Sequence, residues 1–408
     1  MNDYGEERRI KRMDFDKLHP ETQMAHLGEE RDRNQGAVVS PIYQNSLFTF
    51  EDWDAINRAF DNRTDSYIYT RGQNPSVRNT ECKIAALAGG ERAKLLGSGM
   101  AAISAAVLHY LKSGDHVVTL NTLYGPANNL LGSYLVEKMG ISVTYVSGED
   151  VEEFRSAVRE NTALIYLESP SSAVFAMQDI RAVTDLAKSR GIHTVIDNTW
   201  ATPLFQKPLE MGVDLEAHSC FKYLGGHSDI VSGVVIGREE DINSISAREH
   251  QLLGAKMAPF EAWLLTRSLR TFHMRMERHQ ESAKRISEYL EKHPGTRKVI
   301  YPGLPSFPQY ELGSKQMNGY SGLMSFELDT DDLEASKRFV NGLELFSIGV
   351  SWGGHESLVY APAISYLKEM SEERFREMGI AAGLIRISVG LENCDDLICD
   401  LEQAFSRI

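Results

Sequence analysis

Between about Ser76 and Gly237, short β-branched apolar runs alternate with stretches of amphipathic spacing. The runs Ala93–Leu96, His116–Leu120, Ile141–Val146, Ala163–Leu167, His193–Asp197 and Ile230–Ile236 predict strands, mostly with helices between them. Such alternation predicts an α/β fold, a mainly parallel sheet with helices on both faces. Gly90, Gly140 and Gly191 each follow a helical segment and precede a strand, where a left-handed stop suits glycine. The first 60 residues are polar and weakly periodic, broken by Pro20 and Pro41, and predict an arm with partial helix; a loop, Asp61 to Pro75, follows. From about Ala247 to His293 the spacing is helical. Tyr320–Leu328, Leu345–Trp352 and Leu384–Gly390 then predict strands of a smaller α+β domain, closed by a helix presenting Leu397, Ile398, Leu401, Phe405 and Ile408 on one face. The expected division is an arm over 1–60, an α/β domain over 61–260 and an α+β domain over 261–408, with no internal repeat.

The 408 residues are 42% hydrophobic and 25% charged, globular proportions with material for a large core. A formal net charge of -14 disfavours nucleic acid or an anionic membrane as partner, while leaving room for a local anion pocket. The opening Met1-Asn2-Asp3-Tyr4-Gly5-Glu6-Glu7-Arg8-Arg9 lacks the apolar stretch of a secretory signal, and no segment approaches the roughly 18 apolar residues of a membrane span. A soluble, cytoplasmic protein is expected. Cys82, Cys220, Cys394 and Cys399 are too sparse for a disulfide scaffold and lack the paired spacing of a zinc site, so reduced thiols and no metal are expected.

Three segments carry chemistry. Lys94 to Ala102 runs from a strand through Gly97-Ser98-Gly99 into a helix, where backbone N–H groups and the helix dipole can hold a phosphate. The same glycines match a dinucleotide fingerprint or a plain tight turn. The dinucleotide version requires an acid after the next strand; Asn121 stands there instead. The strand His193–Asp197 delivers Asp197 to its C-terminal end, where ligands of parallel sheets collect. Its carboxylate could pair with a protonated pyridine nitrogen, or simply cap Asn198 or Thr199. Finally, Lys222 lies among aromatic, hydroxyl and glycine residues in His218–Asp229 rather than on a charged helix face; a lysine desolvated beside an anion is tuned for Schiff-base chemistry. His218 and His227 suggest local hydrogen bonding.

From about Pro41 to Ile408 the sequence resembles the Cys/Met-metabolism family of fold-type I pyridoxal-phosphate enzymes. Ordered motifs carry the resemblance: Tyr69-Thr70-Arg71-Gly72-Gln73-Asn74-Pro75, Ser98-Gly99-Met100, Asp197-Asn198-Thr199, Lys222 through Asp229, and Arg386-Ile387-Ser388-Val389-Gly390-Leu391-Glu392. The resemblance implies pyridoxal 5'-phosphate held as a Schiff base on Lys222, with Gly99, Met100 and Ser219 binding its phosphate and Asp197 its ring nitrogen. It implies Tyr124 stacked on the ring and aiding proton transfer, and Tyr69 and Arg71 serving the site of a neighbouring subunit in a homotetramer built as a dimer of dimers. Arg386 would hold the α-carboxylate of an amino-acid substrate in a bidentate pair, with Ser351 and Trp352 lining the substrate pocket.

Two positions depart from the family pattern. Phe221 stands where a phosphate-binding Thr or Ser is usual, and Glu168-Ser169-Pro170-Ser171-Ser172-Ala173 has serine for an asparagine expected near the ring hydroxyl. That loop and Ser351-Trp352-Gly353-Gly354 look more like cystathionine β-lyases. Pro126 replaces the cysteine usual in methionine γ-lyases two positions after the stacking tyrosine. The expectation is a lyase that removes the Cα proton with Lys222 and expels a β-thiolate from cystathionine or a cystine-like substrate, leaving pyruvate and ammonia. γ-Elimination or γ-replacement uses the same parts with a second proton moved from Cβ. A dehydrogenase or a non-catalytic cofactor-binding protein leaves more of these residues without linked roles.

Overall fold

The computed structural model describes residues 17–172, 174–364, 381 and 383–408; Met1 to Arg9 and Ala173 lie outside them. The strands β1 (Arg92–Leu96), β2 (His116–Leu120), β3 (Ser142–Val146), β4 (Thr162–Glu168), β5 (His193–Asp197), β6 (Leu215–Ser219) and β7 (Gly233–Gly237) form a seven-stranded sheet ordered β1-β7-β6-β5-β4-β2-β3. β7 runs against both its neighbours, β1 and β6, and every other pair in the sheet is parallel. β-branched runs such as His-Val-Val-Thr-Leu form strands here because both faces are covered and every position of β2 is buried.

Alternate strand residues feed two cores, as the period of two demands. Leu95, Val234 and Ile236 pack with Ile84, Leu87 and Ala88 of the helix Pro75–Ala88. Leu96 and Val235 pack on the opposite side with Ala102, Ile103 and Ala106 of the helix Gly99–Tyr110. The first of these cores continues into a second sheet. There β8 (Thr296–Ile300), β9 (Leu323–Leu328), β10 (Ser347–Ile348), β11 (Leu358–Tyr360) and β12 (Leu384–Ser388) are ordered β10-β11-β12-β9-β8, antiparallel except for β10 with β11. Leu397, Leu401 and Phe405 of the last helix, Cys394–Phe405, close it.

Several boundaries differ from expectation. The expected strand Ile230–Ile236 begins at Gly233, because its partner β6 turns away after Ser219, the residue paired with Gly233. Leu345–Trp352 shortens to β10, since the chain leaves the sheet to bring Trp352 against Tyr223. The left-handed stop belongs to Gly89 (φ 73) rather than Gly90; Gly140 and Gly191 take it as expected. Gly90 instead meets a packing need, for a Cβ there would lie 2.5 Å from Ile236. Ile408 falls beyond the last helix and is exposed. β6, β8 and β11 were not anticipated.

Candidate active site

Glu168, Asp197 and Ser219 are the last residues of the adjacent strands β4, β5 and β6, with Glu168 level with Asp197. Facing them is the N-terminus of the helix Gly99–Tyr110, whose cap Ser98 accepts the Ala101 amide (3.1 Å). The amides of Gly99 and Met100 are among the first-turn donors that a helix leaves without intrahelical partners. Ser219 reaches this turn only because residue 99 is glycine: a Cβ there would sit 1.9 Å from Ser219 Oγ. The result is a cradle of two amides and a hydroxyl, suited to a phosphate.

Lys222 follows in the turn after β6. Its amide bonds Ser219 O (3.2 Å) and its carbonyl accepts from Gly226 (2.6 Å). Buried Arg275, from the helix Phe272–Lys292, donates to the carbonyls of Tyr223 (2.7 Å) and Leu224 (3.3 Å) and so holds this turn; its role was not anticipated. The Lys222 amine lies 3.7 Å from the centre of the Trp352 ring, 5.4 Å from that of Tyr124 and 5.8 Å from that of Phe221. Burial lowers its pKa to about 8, with Arg386 assisting and Asp197 and Glu168 opposing. Such an amine is a nucleophile and base near neutrality.

Asp197 is buried, and its Oδ1 accepts both the amide (2.9 Å) and the hydroxyl of Thr199. The capping role therefore exists, but among the described residues it engages Oδ1 and leaves Oδ2 for another group. Thr199 Oγ1 in turn accepts the Ser219 amide (3.0 Å), linking the carboxylate to the cradle. Tyr124 is anchored through its amide to Glu168 Oε2 (2.8 Å), while Ser172 donates its hydroxyl to Glu168 Oε1. Burial raises the Tyr124 hydroxyl, helped by the negative charges of Asp197 and Glu168.

Arg386 in β12 donates to Val350 O (2.8 Å), stands 5.0 Å from the Tyr360 ring centre, and contributes charge at Lys222, with Ser351 half-buried after Val350. Tyr69 and Arg71 are exposed; Arg71 stacks on Tyr69 and is absent from the charges that act on Lys222. The structure thus brings together Lys222, Tyr124, Asp197, Gly99, Met100, Ser219, Arg386 and Trp352, and leaves Tyr69 and Arg71 on the surface. His218 and His227 make the local bonds expected, to Glu216 (2.6 Å) and to Gly225 O (2.6 Å). Glu168 was missed as a site residue, although it ends a parallel strand as Asp197 does.

An anion cradle, a desolvated lysine and a buried carboxylate with an oxygen to spare define an α/β enzyme that works through a phosphorylated carbonyl cofactor. The chain belongs to the family described as Cys/Met metabolism PLP-dependent enzyme, whose model matches residues 21–406. Its cofactor is pyridoxal 5'-phosphate, and its class is that of carbon–sulfur lyases of sulfur amino-acid metabolism. The chain is 41% identical over 375 residues to an L-methionine gamma-lyase of Porphyromonas gingivalis, covering 91% of this chain and 94% of that protein. It is 38% identical to a cystathionine beta-lyase of Coxiella burnetii, covering 95% and 98%. The crystal structure of metB from Corynebacterium glutamicum superposes with a TM-score of 0.88 at 33% identity, covering 96% and 99%. The described residues fit the cofactor: the Gly99 and Ser219 contact leaves a cradle that any side chain at 99 would fill. Among them, no helix is long and apolar enough to cross a membrane.

Proposed function

We propose that this chain catalyses β-elimination of cystathionine or a cystine-like substrate to a thiol, pyruvate and ammonia. The observation that carries the reading is the confinement of the Lys222 amine, 3.7 Å from the Trp352 ring centre. β-Elimination asks this base for one proton, at Cα, whereas γ-elimination also requires transfer at Cβ and a base free to swing between carbons. The cofactor, when bound, draws electrons away from the reacting carbon. Gly99, Met100 and Ser219 would bind its phosphate, and Asp197 would pair with its ring nitrogen. Arg386 binds the substrate carboxylate and turns the Cα–H bond toward Lys222, which removes the proton. Tyr124 and Trp352 cover the amine and exclude water, and Ser351 borders the same pocket. Tyr69 and Arg71 complete the site of a neighbouring subunit within a homotetramer.

A second reading, γ-elimination of methionine, is favoured by the 41% identity to the methionine gamma-lyase. Pro126, in the first turn of the helix Gly125–Asn129 beside Tyr124, speaks for the first. A substrate panel of cystathionine, cystine, methionine and an O-acylhomoserine with a thiol separates them. Pyruvate from cystathionine supports β-elimination; 2-oxobutyrate as the main keto acid overturns it in favour of γ-chemistry.

A further inference from the structure

Glu168 ties together parts of the site that the proposed reaction uses separately. It accepts the Tyr124 amide at Oε2 (2.8 Å) and the Ser172 hydroxyl at Oε1, and it stands level with Asp197 on the next strand. Asp197 faces it from β5, Lys222 from the turn after β6, Tyr124 from the loop after β2 and Tyr166 from β4 itself, while Arg386 acts on Tyr124 and Lys222 from β12. Two buried carboxylates side by side do not both ionise readily. Burial first, and Asp197 second, raise the Glu168 pKa to about 7, against the pull of Ser172, the Tyr124 amide and Lys222.

We propose that Glu168 is a positioning residue, a proton-carrying bracket that fixes Tyr124 over the Lys222 amine when ionised and loosens it when protonated. The inference rests on reading the Lys222 centre as the lyase site. When Glu168 is ionised, both oxygens accept. On protonation the bond to Ser172 can reverse, because a hydroxyl both donates and accepts, but the Tyr124 amide can only donate. It is then left on a neutral acid, a weaker acceptor than a carboxylate. The base form of Glu168 is therefore the one that holds Tyr124 in place beside the Lys222 amine.

The test measures kcat and KM of the holoenzyme from about pH 5.5 to 9, with whichever substrate the panel selects. Wild type is expected to lose kcat on the acid side with a midpoint near 7 while KM stays flat. Glu168→Gln should abolish that limb and hold kcat low throughout. Ser172→Ala removes a donor to the ionised form, and should move the limb upward by roughly half a unit. The apo chain should also show an infrared carboxyl band that titrates in the same range and vanishes in Glu168→Gln. A limb unmoved in both variants overturns the proposal, as does the absence of the band. Wild type that binds no cofactor defeats the site reading as well; cofactor bound with an unmoved limb defeats only the role of Glu168. If Glu168→Gln fails to fold, the shift in Ser172→Ala decides.

Discussion

A solvated lysine holds its proton far above neutrality, and Lys222 does not. A pKa lowered from 10.5 to about 8 raises the unprotonated fraction at neutral pH by about 300-fold. Because the reactive form is the free amine, capture of pyridoxal phosphate by the apo chain should speed up as pH rises toward 8 and level off above it. Stopped-flow absorbance follows this directly, and a rate indifferent to pH over that range would remove the role of burial. Lys222→Ala should retain cofactor without a borohydride-fixed adduct and lose turnover by at least about a thousandfold. Arg386 has a different signature. A charge-assisted bond to the substrate carboxylate predicts KM rising roughly 10- to 100-fold in Arg386→Ala, with a smaller effect on kcat. An unchanged KM would show that Arg386 serves Val350 rather than substrate.

The helix Gly99–Tyr110 and strand β6 meet so closely that one hydrogen at residue 99 decides whether the cradle exists. Gly99→Ala would place a methyl 1.9 Å from Ser219 Oγ and 2.8 Å from its Cβ. Forcing the two elements apart should destabilise the fold by about 1–3 kcal/mol and weaken cofactor binding more than Ser219→Ala alone. Ser219→Gly in the same chain should recover part of the fold stability, measured as a coupling in denaturant midpoints. The same strand shows where sequence reading reaches its limit. β2 and β5 were legible because their runs are apolar and β-branched. Leu215–Ser219 was not, because Glu216 and His218 look like surface residues. Both are buried, in a network where Glu216 accepts from His218 and from Asn198 (2.8 Å), and Gln206 bonds Asn198 (2.9 Å). β8 was hidden for the opposite reason: it is an edge strand with exposed Arg297 and Lys298. Motif order located Lys222, Asp197 and Gly99. The bracket at Glu168 and the clamp at Arg275 needed coordinates, since neither spacing nor composition says which carbonyls and amides a side chain will reach.

At the scale of the whole molecule, the exposure of Tyr69 and Arg71 is the observation that points beyond a single chain. Both follow an arm that presents Val38, Ile42, Leu47, Trp53 and Phe60 to solvent, while Lys83 and Arg270 pin the start of that arm through buried Glu29. If each site takes Tyr69 and Arg71 from a neighbour, lesions on the two sides of the interface should complement each other. Lys222→Ala and Arg71→Ala proteins should each be nearly inactive. In a hybrid dimer of the two, one site carries both lesions and the other carries neither. An equal mixture, dissociated and reassembled, gives hybrids in about half of its dimers, so about a quarter of all sites should be intact and activity should recover to about that fraction of wild type. Assembly state is checked in parallel by light scattering, so that failure to exchange is distinguished from failure to complement. Hybrids that form without regaining activity would place Arg71 and Lys222 in service of the same chain, and the exposed pair would then need another explanation.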